Sequence, residues 1–144
     1  MSSPDPDPGL AALASLPEAL RPDAEARWRA LAPRLEMRPP PPAGEWLALL
    51  PRVLGLSDFV AQTLEREPEV AQDLLASRDL AVPYADADIG ARVERALAGV
   101  AGDTELKQRL RALRRREWVR LAWRDLAGRA TLAEVMTTLS GFAD

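Results

Sequence analysis

The chain has 144 residues, 47% of them apolar and 28% charged. That balance fits one globular domain, large enough to bury roughly 70% of the surface its unfolded form exposes. It contains no cysteine and no histidine, which excludes a disulfide framework, thiolate metal sites, cysteine nucleophiles, Ser-His-Asp chemistry and nearly all zinc enzymology. Carboxylates, Arg, Lys, Ser, Thr and the single tyrosine, Tyr84, are left for any catalysis. The net charge of -3 is too mild to specify a nucleic acid or a membrane as partner. Its distribution is uneven: residues 107–129 hold nine basic and two acidic side chains, against ten and twenty elsewhere. Arginine outnumbers lysine 18 to 1, a bias that suggests a GC-rich genome more than a function.

Residues 1–9 are acidic and proline-rich, and read as a disordered tail. They contain neither a basic leader nor an apolar targeting segment, and no apolar run approaches the roughly 18 residues of a membrane span. A cytoplasmic protein is expected. Residues 10–37 read as helix interrupted near Pro17, Pro22 and Pro33, with Leu20, Ala24, Trp28, Leu31 and Leu35 on one face. Four consecutive prolines, Pro39 to Pro42, give 38–44 a polyproline II preference that reads as a stiff connector rather than as a ligand for an aromatic groove.

From Glu45 the pattern is helical. Trp46, Leu49, Leu50, Val53, Leu54 and Leu56 form a short apolar element across Pro51 and Gly55. Ser57 suits the N-cap of the next helix, with Asp58 near its positive end and Phe59, Val60, Thr63 and Leu64 facing inward. Pro68 restarts a helix with Val70, Leu74 and Leu75 buried. Residues 77–88 read as a loop around Pro83 and Tyr84. Asp88 can cap a helix bearing Ile89, Val93, Ala96, Leu97 and Val100, which Gly102 ends. Asp103 or Thr104 should cap the longest helix, about 104–127. Thr131 and Glu134 form a capping box for a last helix carrying Val135, Leu139 and Phe142, which reads as cut in mid-helix at Asp144. Nothing alternates at strand period. The expected fold is all-α, with about seven helices and short connections.

Two features could carry chemistry. Asp86 and Asp88 form a closely spaced carboxylate pair that on a strand could hold magnesium; without strand-forming flanks, a helix cap is the better reading. The basic helix is the second. Arg114, Arg115, Arg116, Arg120 and Arg124 could bind phosphate or RNA with Trp118 and Trp123 stacking. Alternatively it is a core helix whose arginines pair with Glu117 and with acids elsewhere, which the net acidity of the chain favours. All four tryptophans, Trp28, Trp46, Trp118 and Trp123, sit on apolar helical faces and read as core.

The segments LPRVLGLSDFVAQTLEREPEVAQDLLAS (50–77) and RRREWVRLAWRDLAGRATLAEVMTTLSGFAD (114–144), in this order and separation, resemble the N-terminal region of the bifunctional glutamine synthetase adenylyltransferase/adenylyl-removing enzymes. The markers are the Ser57-Asp58-Phe59-Val60 turn into helix and the arginine-triplet helix with its Val-Arg-Leu-Ala-Trp run. The resemblance covers about residues 10–144. It implies that 45–144 precedes an adenylyl-removing core of nucleotidyltransferase type. In such enzymes one domain attaches AMP from ATP to a tyrosine of glutamine synthetase and another removes it by phosphorolysis, both with magnesium, under control of a PII signalling protein and glutamine. The family's Gly-rich and Ser-Asp-x-Asp strand motif lies downstream of a block like 114–144. No residue here therefore inherits its metal carboxylates, and neither ATP nor magnesium is expected to bind this chain. The expectation is an inactive helical scaffold beside its own downstream catalytic domain, with glutamine synthetase and PII as partners. A stand-alone helical adaptor is the alternative, and an RNA-binding bundle the third reading. Arg114, Arg115, Arg116, Glu117, Arg120, Arg124, Ser57 and Asp58 are the candidate structural or interaction residues.

Overall fold

The computed structural model describes residues 8–35, 43–77, 79–83, 88–131, 134 and 136. Among them there are seven α-helices and no strand: α1 (Pro8–Leu13), α2 (Arg21–Leu31), α3 (Ala43–Leu56), α4 (Asp58–Arg66), α5 (Glu69–Ser77), α6 (Asp88–Leu97) and α7 (Asp103–Leu126). Short 3-10 turns span Glu18–Leu20 and Ala32–Arg34. The all-α expectation holds. The first helix starts at Pro8, earlier than the sequence reading placed it, and α3 runs unbroken through Pro51. Tyr84, Asp86, most of the proline connector, and Val135, Leu139 and Phe142 lie outside the described residues.

The main core gathers Trp28, Leu31 and Leu35 from the α2 region, Trp46, Leu50, Val53 and Leu54 from α3, and Val60 and Leu64 from α4. Ala71, Leu74 and Leu75 of α5, Leu80, and Val119 and Trp123 of α7 complete it. Helix α3 is the hub, touching α1, α2, α4, α5 and α7. Its side chains are apolar on most sides because it is surrounded. Three tryptophans are buried, and Trp118 is only half-buried.

Three apolar residues depart from the pattern: Leu20, Phe59, and Leu56, exposed at the last position of α3. Leu20 is exposed because it belongs to the 3-10 turn before α2, so the α-helical stripe begins only at Ala24. Phe59 is 46% exposed, although Val60, Thr63 and Leu64 are buried. At about 100° per residue, Phe59 lies roughly 100° from the centre of that buried face.

The helix ends are closed by specific groups. Ser57 caps α4 as expected, its Oγ accepting from the Val60 amide at 3.1 Å. Neither Asp103 nor Thr104 caps α7: Gly102 occupies the N-cap, and Glu105 reaches back to accept from the Ala101 amide at 3.1 Å. At its other end, Gly128 adopts φ 76°. The Arg129 amide donates to Arg124 C=O at 2.8 Å and the Gly128 amide to Asp125 C=O at 3.0 Å, a Schellman closure that favours glycine at that position.

Arginines also bond carbonyls near several helix ends. Arg27 donates to Leu54 C=O at 2.6 Å and pairs with Asp58 at 2.7 Å. Arg34 donates to Glu65 C=O at 2.5 Å. Arg52 joins Leu126 C=O to Ser15 C=O and Oγ, each at 3.0 Å. Arg109 donates to Ala96 C=O and Ala98 C=O at the end of α6.

Gly55 permits the closest helix approach. A Cβ there would sit 2.8 Å from both Ala24 Cβ and Leu16 Cδ1. Alanine normally favours a helix interior over glycine by about 1 kcal/mol. Here the clash reverses that: Gly55→Ala is expected to destabilise the fold by about 1–3 kcal/mol, read as a lower urea midpoint with unchanged slope.

Candidate functional site

Helix α7 has two halves. All its buried residues (Glu117, Val119, Arg120, Leu121, Trp123 and Arg124) lie in the second. A core helix carrying a glutamate and two arginines inside needs partners for each charge, since an unpaired buried ion costs several kcal/mol. The fold supplies them from the α4–α5 junction, from residues 79–83 and from Glu134.

Arg115 meets Glu67 through two bonds, Nε to Oε2 at 3.0 Å and Nη2 to Oε1 at 3.2 Å. Arg116 bonds Asp73, Asp79 at 2.5 Å, Ser77 Oγ at 3.2 Å and Glu117 Oε1 at 2.6 Å. Arg92 of α6 grips the same Asp79 with both terminal nitrogens, at 2.9 and 2.8 Å. Arg120, fully buried, donates to Asp79 C=O at 2.8 Å and Val82 C=O at 2.6 Å. Arg124 holds Glu134 by a fork at 2.6 and 2.9 Å, donates to Leu80 C=O, and lies 5.7 Å from the Trp46 ring centroid. Trp123 donates its indole N–H to Trp46 C=O at 3.1 Å.

The planar guanidinium suits this work because it offers five donors in a fixed fork. Burial pushes the Asp79 carboxyl up, but the hydrogen bonds from Arg92 and Arg116 outweigh it, so Asp79 titrates below its ordinary 3.8. Burial would push Arg116 down; the bonds to Asp79 and Asp73 overcome it and hold the guanidinium charged.

The structure therefore brings together Arg116, Glu117, Arg120 and Arg124 as a core pairing network, with the Arg115–Glu67 pair at its half-exposed edge. Arg114 is exposed on another side of the helix. Ser57 and Asp58 serve a different place, the α3–α4 corner, as N-cap and as partner of Arg27. Asp88 is the first residue of α6. The capping box is only half made: the Glu134 amide donates to Thr131 Oγ1 at 3.1 Å, while the Glu134 carboxylate turns to Arg124 instead of the Thr131 amide. An ion pair with a buried cation outcompetes one exposed amide bond. Asp79 and Arg92 were not singled out from sequence. A lone aspartate in a loop has no period to mark it, and its partners lie 13 and 37 residues away.

Chemically, the network offers donors engaged on carbonyls and carboxylates of the same chain, with no nucleophile beside a base. Among the described residues no three His, Cys, Asp or Glu side chains are grouped to hold a metal. A magnesium ion does not fit the buried acids either, since Asp79 and Glu134 are already gripped by guanidinium forks whose charge would repel it.

The fold and network thus define a helical bundle organised around a paired arginine helix. A family model described as glutamate-ammonia ligase adenylyltransferase matches residues 47–144, and the chain belongs to that family. A bifunctional glutamine synthetase adenylyltransferase/adenylyl-removing enzyme of Psychromonas ingrahamii is 40% identical over 93 residues, 65% of this chain and 10% of the relative. The enzyme of that name from Pseudomonas aeruginosa is 38% identical over the same share of each chain. The one from Thioalkalivibrio sulfidiphilus is 35% identical over all 144 residues, 14% of its own length. The chain thus spans between 10% and 14% of these relatives. No solved structure matches it significantly.

Two tests follow from the network. Arg124→Met leaves buried Glu134 only its 3.7 Å contact with Arg120 and should cost about 3–5 kcal/mol, whereas Arg124→Met with Glu134→Leu should recover much of the loss in a double-mutant cycle. The second is pH dependence. Because the folded Asp79 pKa lies below the unfolded value of 3.8, its contribution is complete above that value and fades as pH falls through the folded pKa. Asp79→Asn should flatten the acid limb of stability below about pH 4, measured by urea unfolding at stepped pH.

Proposed function

We propose that this chain is a helical scaffold in the N-terminal part of an enzyme that adenylylates and deadenylylates a tyrosine of glutamine synthetase, and that the chemistry is performed by residues outside it. Family membership supports the enzyme. The inward pairing of the arginine helix carries the scaffold assignment: the groups best suited to grip phosphate, Arg116, Arg120 and Arg124, are engaged on this fold's own acids and carbonyls. In this reading magnesium and ATP bind a catalytic domain elsewhere in the enzyme. Glutamine synthetase, a PII signalling protein and that catalytic domain are the partners, and the cytoplasm is the site of action. No single described helix is long and apolar enough to cross a membrane.

The test has two arms. The isolated chain, mixed with adenylylated glutamine synthetase and phosphate, is expected to release no ADP; release would overturn the scaffold reading. In the second arm, residues 1–144 replace the matching segment of the Thioalkalivibrio sulfidiphilus relative, and both activities are expected to survive in the chimera. If the isolated chain instead binds glutamine synthetase tightly while the chimera is dead, the adaptor reading takes its place.

A further inference from the structure

The second half of α7 uses its cations internally, but the first half does not. Lys107, Arg111 and Arg114 are exposed, and none has an ion pair or hydrogen bond among the described residues. Their spacing of four and three places them within roughly 60° of one another on the helix, along about 10 Å of its axis. The neighbouring cations face elsewhere: Arg109 is tied to Glu105 and the end of α6, and Arg115 to Glu67. The stripe has apolar company. Leu110, beside it, is 38% exposed, and half-buried Trp118 continues its line one turn on. No residue of α7 before Glu117 is buried, and α6 buries only Ile89. Among the described residues, this end of the α6–α7 pair is therefore covered on one side only.

We propose that the Lys107–Arg111–Arg114 stripe is a docking surface for an acidic amphipathic helix of a protein partner. Charge complementarity selects the occupant. Three cations at helical spacing match carboxylates at helical spacing, and Leu110 and Trp118 supply the apolar anchors that such an interface needs at its centre. The contact works at short range, within a Debye length of about 8 Å, so the chain's net charge of -3 does not oppose it. An extended nucleic-acid backbone rewards a wider basic surface than three cations along about 10 Å of one helix. This inference stands apart from the assignment of the catalytic domain and concerns the chain's own surface.

The probe is a blocked helical peptide with glutamates at i, i+4 and i+7 flanked by leucines, titrated into the isotope-labelled full chain and followed by NMR. Shifts are expected to concentrate on Lys107, Leu110, Arg111, Arg114 and Trp118, with affinity falling as salt rises. Lys107→Glu/Arg111→Glu/Arg114→Glu should weaken binding by at least roughly tenfold, the triple glutamine variant should lie between, and Arg66→Gln, on an exposed part of α4, should leave it unchanged. Far-UV circular dichroism and the melting transition of each variant separate lost binding from lost fold. The proposal is overturned if the peptide fails to bind, if the reversed variant binds equally well, or if a lysine-bearing peptide or a single-stranded oligonucleotide binds more tightly.

Discussion

Short helices leave many backbone carbonyls without partners, four at each C-terminal end, and this fold closes several of them with arginine. Leu54, Glu65, Ala96 and Leu126 each present a carbonyl near a helix end, and each receives a guanidinium from a distant part of the chain or a neighbouring helix. Arg52 ties the end of α7 to Ser15 beyond α1, so one side chain on α3 fixes two other elements. Lysine also carries several donors, but on a single rotating nitrogen; the rigid planar fork that reaches two separated acceptors at fixed geometry belongs to arginine. Genome composition alone does not explain the preponderance of arginine: many of these side chains have a geometry that lysine cannot reproduce.

The same logic runs through the core. Residues 79–83 have no secondary structure to satisfy their backbone, yet Asp79 and Leu80 are buried. The carbonyls of Asp79, Leu80 and Val82 are bonded by Arg120 and Arg124. Arginine side chains thus take the role that a neighbouring strand or helix turn plays elsewhere. A buried ion pair adds little net stability compared with a well-packed apolar substitute. What the network contributes is definition: it fixes where residues 79–83 sit, and where Glu134 sits relative to α7.

Much of this was legible in the sequence, and the misses have physical reasons. Ser57 and the inner face of α4 followed from local chemistry, because capping and helical period act within four residues. The core pairing of the arginine helix was legible from charge arithmetic, since a basic helix with tryptophans inside an acidic chain has partners to find. Which acids it finds was not. Asp79 and Glu67 are dozens of residues from Arg116 and Arg115 and carry no local mark. Glu134 misled because its short-range reading as a capping partner was half right, and a long-range cation claimed its carboxylate. Phe59 is exposed although apolar, because its angle on α4 decides which way it faces.

The scarcity of lysine has a practical consequence. Lys107 is the sole lysine of the chain, and it stands exposed on the open half of α7. With no cysteine thiol to compete, an amine-directed reagent meets one side-chain amine and the terminal α-amine, which separates from it by its lower pKa. A fluorophore, spin label or photo-crosslinker can therefore be placed at one defined point of the folded protein without engineering a residue. That point reports on whatever approaches this face.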